Sequence, residues 1–313
     1  MKPFLKTLLF LCVAGALALP WLSPPVYFVS LLFIVFMYVV LAESWVLIGG
    51  FAGYLSFGHG AFLGIGAYTT ALLMNHFHLS PLWVLISALP AGAVAACIAA
   101  VIGYPALRLR GPYFALITLC FAFVMELVVK NLDFLGGPEG LWLKAMGIDV
   151  GLARGIFFEV MFVLMIVTVL TVRHIEYSRF GVGLKAIKED EEVAQTLCVH
   201  TPRVKLFAFV LSAFFPGIAG GLYAYYLSYI HPETVFNIDI SILIVLMALF
   251  GGGGTYLGPL VGAISLSLIN ELLSAFLKAE YARVIYGLLF VVLILFLPEG
   301  VMSFFRKGRS GDT

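Results

Sequence analysis

Hydrophobic positions along this 313-residue chain fall in long unbroken blocks, not in alternating or heptad patterns. A helix needs about 20 mainly apolar residues to cross a bilayer core. Ten blocks of that order are legible, at 4–22, 25–48, 54–75, 82–103, 112–130, 155–172, 206–228, 238–253, 256–276 and 281–298. The eighth is short and runs into Gly251-Gly252-Gly253-Gly254, which fits a broken or re-entrant helix as well as a span. The first block also fits a signal peptide, with Lys2 and Lys6 ahead of an apolar run that leads to Ala14-Gly15-Ala16-Leu17-Ala18. A retained first span is the expectation. The pattern predicts an all-α, polytopic membrane bundle of about ten transmembrane helices, forming one transmembrane domain over 1–313.

The polar positions concentrate in one segment, 173–205, between the sixth and seventh blocks. It holds six Lys/Arg and five Asp/Glu, about a third of all charges in the chain. From Leu184 to Leu197 the residues are good helix formers, and Leu184, Ile187, Ala194 and Leu197 share one stripe that Glu191 interrupts. Pro202 lacks a donor and restricts the residue before it, so the helix ends by then. A simple connector needs only a few residues. The expectation is a short extramembrane helix that buries Leu184, Ile187, Ala194 and Leu197 in a partner protein, with Glu189, Asp190, Glu191 and Glu192 as a charged rim.

Composition narrows the function classes. The chain is 62% hydrophobic and 11% charged, with a mean hydropathy of +1.08; soluble domains carry roughly 25% charged residues. A soluble enzyme is excluded, and a net charge of +1 gives no reason to expect nucleic-acid binding. Cys12, Cys97, Cys120 and Cys198 show no CxxC spacing, so neither a disulfide framework nor a zinc site is expected. With ten spans, thirteen of the 18 Lys/Arg fall on the side of the termini and of 173–205, which the positive-inside rule makes cytoplasmic. The loop 131–154, with Gly136-Gly137-Pro138-Glu139-Gly140, then faces the other way.

Candidate chemistry is sparse. The stretch Tyr54-Leu55-Ser56-Phe57-Gly58-His59-Gly60-Ala61-Phe62 is glycine-rich, which permits close helix contact or local unwinding. His59 is the only histidine within a predicted span; it reads either as a packed histidine or as part of a polar solute route. Glu43 and Glu126 fall inside predicted spans, where carboxylates are costly and usually face a bundle interior or cavity; Glu271 lies near an interface. Glu43, Tyr54, Ser56, His59 and Glu126 are therefore the candidate translocation residues. The stretch Gly49–Leu55 can also be laid on Gly251–Leu257, a weak internal echo, and paired interruptions are where transporters place their pathway. There is no Gly-x-x-x-x-Gly-Lys-Ser/Thr motif, no HExxH and no recognisable Ser-His-Asp or Cys-His spacing. The chain is expected to be no enzyme and to hold no cofactor or metal. If ATP drives it, another subunit binds the nucleotide. Glu43, His59 and Glu126 also leave open an ion-coupled secondary transporter.

Four stretches taken together resemble the permease family of branched-chain amino acid ABC importers, in particular the LivM type. They are Gly53–Phe62 with Gly64-Ile65-Gly66-Ala67-Tyr68, Pro105–Ala115, Gly136–Leu141, and Ser178-Arg179-Phe180-Gly181 through Ala186–Glu191 to Lys205–Phe209. The resemblance implies a fold like that of type II ABC importer permeases, in a bacterial inner membrane with both termini cytoplasmic. It implies a LivH-like permease partner, two cytoplasmic ATPase subunits of the LivG and LivF kind, a periplasmic solute-binding protein and surrounding membrane lipid. It makes 184–197 the ATPase-coupling element, and leucine, isoleucine and valine the solutes; related permeases serve urea and short amides. It also leads one to expect glycine where Cys198 stands and asparagine or a similar residue where His200 stands.

Overall fold

The computed structural model describes residues 26–77, 84–143, 150–276, 281, 284–285, 287–288 and 300–301. The blocks expected at 4–22 and 281–298 lie largely or wholly outside these residues. The other eight appear as helices: α1 (Val26–Val46), α2 (His59–His76), α3 (Val84–Ala106), α4 (Pro112–Asn131), α5 (Val150–Glu176), α8 (Thr201–Leu227), α10 (Ile238–Gly251) and α11 (Leu257–Phe276). Two short helices, α6 (Arg179–Glu189) and α7 (Glu191–Thr196), lie between α5 and α8, and α9 (Pro232–Val235) precedes α10. Among the described residues six helices are long and apolar enough to cross a membrane. The chain is a mostly helical, multi-pass bundle.

The core forms where α8 packs along α2 and α3 and where α1 packs along α5 and α11. Backbone contact sets the spacing at α2–α8. A methyl group added at Gly66 would lie 1.9 Å from the Gly217 carbonyl oxygen, and one at Gly220 would lie 1.9 Å from that of Leu63. Apolar lipid gives helices no hydrophobic reason to associate, so such small-residue contacts carry much of the attraction. Aromatic side chains fill the rest: Phe62 meets Phe121 and Phe209 with ring centroids 5.5 Å apart in both pairs.

At one end, a two-residue antiparallel ladder joins β1 (Leu141–Trp142) to β2 (Tyr229–Ile230), pairing Leu141 with Ile230 and Trp142 with Tyr229. Lys130 bridges Glu126 and Glu233 there, at 2.8 Å each. The other end carries α6, α7, the Arg108–Arg110 turn and the loop after α1. Arg110 meets Glu191 across it, so two of the positive clusters counted together in the sequence do share a side.

The sequence pattern predicts one helix over 184–197, and the structure corrects this. Asp190 is extended (φ −157°, ψ 115°) and its Oδ1 accepts from the backbone N–H of Glu192 (2.8 Å) and Val193 (3.1 Å). It caps a new helix whose first turn carries Glu191 and Glu192, both favourable beside the positive end of the helix dipole. The run Glu189-Asp190-Glu191-Glu192 is thus a helix junction. Similarly, α2 begins at His59, not Tyr54, leaving 47–58 without helix.

The polar cluster at the charged end

Lys205, on α8, is buried, and its Nζ donates to three acceptors from three parts of the chain. These are Glu191 Oε1 on α7 (2.6 Å), Tyr54 Oη in the non-helical segment (2.8 Å) and the Leu107 carbonyl after α3 (3.1 Å). Tyr54 Oη in turn donates to Glu191 Oε2 (2.9 Å), closing a ring of three side chains. Arg110 approaches from outside, its Nε 3.1 Å from Glu191 Oε2 and its guanidinium 3.5 Å from Glu192 Oε1. The Lys205 and Glu191 side chains are only 5% and 11% exposed. Burial pushes the Glu191 carboxyl up, but the bonds from Lys205 and Tyr54 and the charges of Lys205 and Arg110 outweigh it, so its pKa lies below the ordinary carboxylate range.

A second set of contacts ties α6 to the same segment. Lys188 Nζ donates to the Gly50 carbonyl (3.0 Å), and Lys185 Nζ sits 5.2 Å from the centre of the Phe51 ring. Lys185 also pairs with Glu176 Oε1 (3.3 Å), while Glu176 Oε2 accepts from the backbone N–H of Tyr256 (2.9 Å). The segment itself is held by Trp45 Nε1 donating to the Ser56 carbonyl (2.8 Å) and by the Phe57 N–H donating to Thr118 Oγ1 (3.1 Å). Gly50 also packs on the Gly253 carbonyl, so the two glycine-rich stretches matched in the sequence touch in space.

The residues expected to couple divide into two groups. Leu184, Ile187 and Ala194 are buried within this chain's own bundle, so that stripe packs α6 and α7 against the rest of the chain. Leu197 is 68% exposed, and Tyr177, Val182 and Val193 in the same part of the chain are also exposed. Glu189 and Asp190 are exposed, whereas Glu191 turns inward to Lys205. Cys198 adopts φ +61°, the left-handed conformation glycine takes most readily.

The translocation candidates also separate. Glu43 is fully buried near the charged end of α1, and neither carboxylate oxygen has a hydrogen-bond partner. His59, the first residue of α2, is fully buried with both ring nitrogens unpartnered and its ring edge-on to Phe62 (5.9 Å). Ser56 is buried and its Oγ accepts from the Gly58 N–H (3.3 Å). Tyr54 belongs to the cluster with Lys205. Glu126 sits at the opposite end, paired with Lys130. Among the described residues no three His, Cys, Asp or Glu side chains converge as a metal-binding group. Lys205 and Arg110 stand out in the sequence only as charges within stretches that carry the family resemblance; Lys205 also directly precedes an apolar block.

A family described as the branched-chain amino acid transport system permease component matches residues 27–294. The LivM permease protein of the high-affinity branched-chain amino acid transport system of Escherichia coli is 31% identical over 298 residues, covering 86% of this chain and 68% of that protein. Its Salmonella typhimurium counterpart is 29% identical, covering 88% of this chain and 71% of that protein. The LivH permease of S. typhimurium is 27% identical, covering 85% and 91%. No solved structure gives a significant match.

Proposed function

This chain belongs to the branched-chain amino acid transport system permease family, and from that membership we propose that it is a LivM-type permease subunit of an ABC importer. With a LivH-like subunit it forms the route for leucine, isoleucine and valine across a bacterial inner membrane. Two LivG- and LivF-like ATPases supply the energy, and a periplasmic binding protein delivers the solute. The chain spans the membrane about ten times, with both termini and 173–205 in the cytoplasm. The observation that carries this reading is the family match over 27–294, joined to permease relatives that align over most of their length.

A bound ATPase biases the permease only through contacts that differ between its states. The exposed apolar residues in and next to α6 and α7, Tyr177, Val182, Val193 and Leu197, with the exposed Glu189 and Glu192, are the face offered to it. Large apolar side chains standing in water beside charges suit burial against a protein partner. The rival ion-coupled mechanism through Glu43, His59 and Glu126 gains no support, since Glu126 lies at the other end of the bundle in an ion pair.

The test is co-expression with the candidate partner permease, ATPases and binding protein, followed by uptake into proteoliposomes. ATP-dependent leucine uptake supports the reading. Preferential uptake of urea or a short amide would move the solute to the related importers, and uptake driven by a proton or sodium gradient without ATP would overturn the class.

A further inference from the structure

The ring formed by Tyr54, Glu191 and Lys205 does more than its stability warrants. Desolvating an ion pair offsets much of its Coulomb attraction, and apolar replacements of similar size are often as stable. Buried ionic groups are best attested where they fix the register of one element against another. Here the elements differ in how they are held. Lys205 belongs to α8, packed along two neighbours, and also holds the Leu107 carbonyl, so it is the fixed point. Glu191 belongs to α7, six residues flanked by two non-helical joints, extended Asp190 and left-handed Cys198. Tyr54 belongs to a segment without helix that runs from the charged end to the fully buried start of α2 at His59.

We propose that Tyr54, Glu191 and Lys205 form a clamp that transmits the position of α7 to segment 47–58, making that segment the moving part between the ATPases and the solute route. The inference rests on the permease reading above. The three are positioning residues: when α7 shifts against α8, the bond from Tyr54 to Glu191 either carries 47–58 along or breaks. Lys188 on the Gly50 carbonyl and Lys185 over Phe51 give α6 a hold on the same segment, so both short helices act on it. Gly53 holds φ +77°, a conformation glycine takes most readily, and gives the segment a backbone joint next to Tyr54.

The experiment uses the assembled transporter in proteoliposomes with leucine-loaded binding protein, comparing the parent with Tyr54→Phe, Glu191→Gln and the double variant. Each single change is expected to lower leucine taken up per ATP hydrolysed about tenfold, the scale of one hydrogen bond to a charged group, while the complex still co-purifies. The double variant is expected to be no worse than the worse single, because both act through one contact. In a Cys-free background, maleimide labelling of Leu55→Cys should change on trapping with ATP and vanadate, and Tyr54→Phe should abolish that change. An unchanged uptake-to-hydrolysis ratio, or additive losses, or a complex that only falls apart in proportion to its lost uptake, would overturn the clamp. A parent assembly that fails to couple leucine uptake to ATP would overturn the permease reading and the clamp with it.

Discussion

Lys205 Nζ lies 2.6 Å from Glu191 Oε1, although the two residues sit on different helices and both are almost sealed from water. Removing one partner of such a pair leaves a buried charge, which costs about 3–5 kcal/mol, whereas removing both costs far less. Lys205→Met is therefore expected to lower the thermal midpoint of the detergent-solubilised protein sharply, and adding Glu191→Gln to recover much of the loss. Fluorescence-monitored melting of the two single variants and the double checks this; additive losses would show that the pair does not act as a unit.

The same pair sets a pH dependence. The folded-state pKa of Glu191 is depressed, so its contribution is present above the ordinary carboxylate range and is lost as pH falls through the lowered value. The melting difference between the parent and Glu191→Gln should hold steady from pH 7 to about 5 and shrink only below about 4. A difference that vanishes between pH 7 and 6 would mean that Glu191 is not held ionised in this way.

Close backbone contact between α2 and α8 predicts a strict size limit. In Gly66→Ala the new methyl group would meet the Gly217 carbonyl oxygen at 1.9 Å, well inside van der Waals contact, so the helices must part. Overpacking of this kind costs about 1–3 kcal/mol or more. Gly254→Ala, where nothing lies within 4 Å, is the control. Yield of monodisperse protein by size-exclusion chromatography should fall for the first and stay level for the second.

The coupling surface gives a paired test. Val193 and Leu197 face outward, whereas Ile187 faces the chain's own core. Leu197→Asp is expected to leave the permease folded but reduce recovery of the ATPases on a tagged permease. Ile187→Asp buries an unpaired charge, costing several kcal/mol, and is expected to lower the permease's own midpoint. Equal loss of ATPases without any change in midpoint for Ile187→Asp would place that side chain in the partner after all.

Cys198 predicts a stabilising change. A left-handed residue with a side chain costs about 1–2 kcal/mol, and glycine removes that strain while adding some unfolded-state entropy. Cys198→Gly should raise the midpoint slightly or leave it level, and Cys198→Val should lower it.

Much of this architecture was legible because lipid imposes a simple rule: apolar blocks of sufficient length become helices, and eight of ten fall within the described residues as helices. Resemblance gave the family from four short stretches; Cys198, where that family leads one to expect glycine, has a left-handed backbone that the sequence did not foretell. The site was less legible. Leu184, Ile187 and Ala194 form a stripe that reads the same whether it meets a partner or its own bundle, and periodicity carries no information about which. Asp190 read as one more acid in a helical run because capping is decided by backbone geometry. Lys205 could not be assigned a role before Glu191, Tyr54 and Leu107, from three separate regions, were seen to converge on it. Glu43 and Glu126 looked alike in sequence and proved to lie at opposite ends.

The most direct measurement of the central claim is leucine uptake by the assembled transporter in proteoliposomes, with and without ATP. Uptake that requires ATP, the binding protein and this chain together is the expected result. Uptake that proceeds equally without ATP, or equally in an assembly lacking this chain, would contradict its role as an ABC-importer permease subunit.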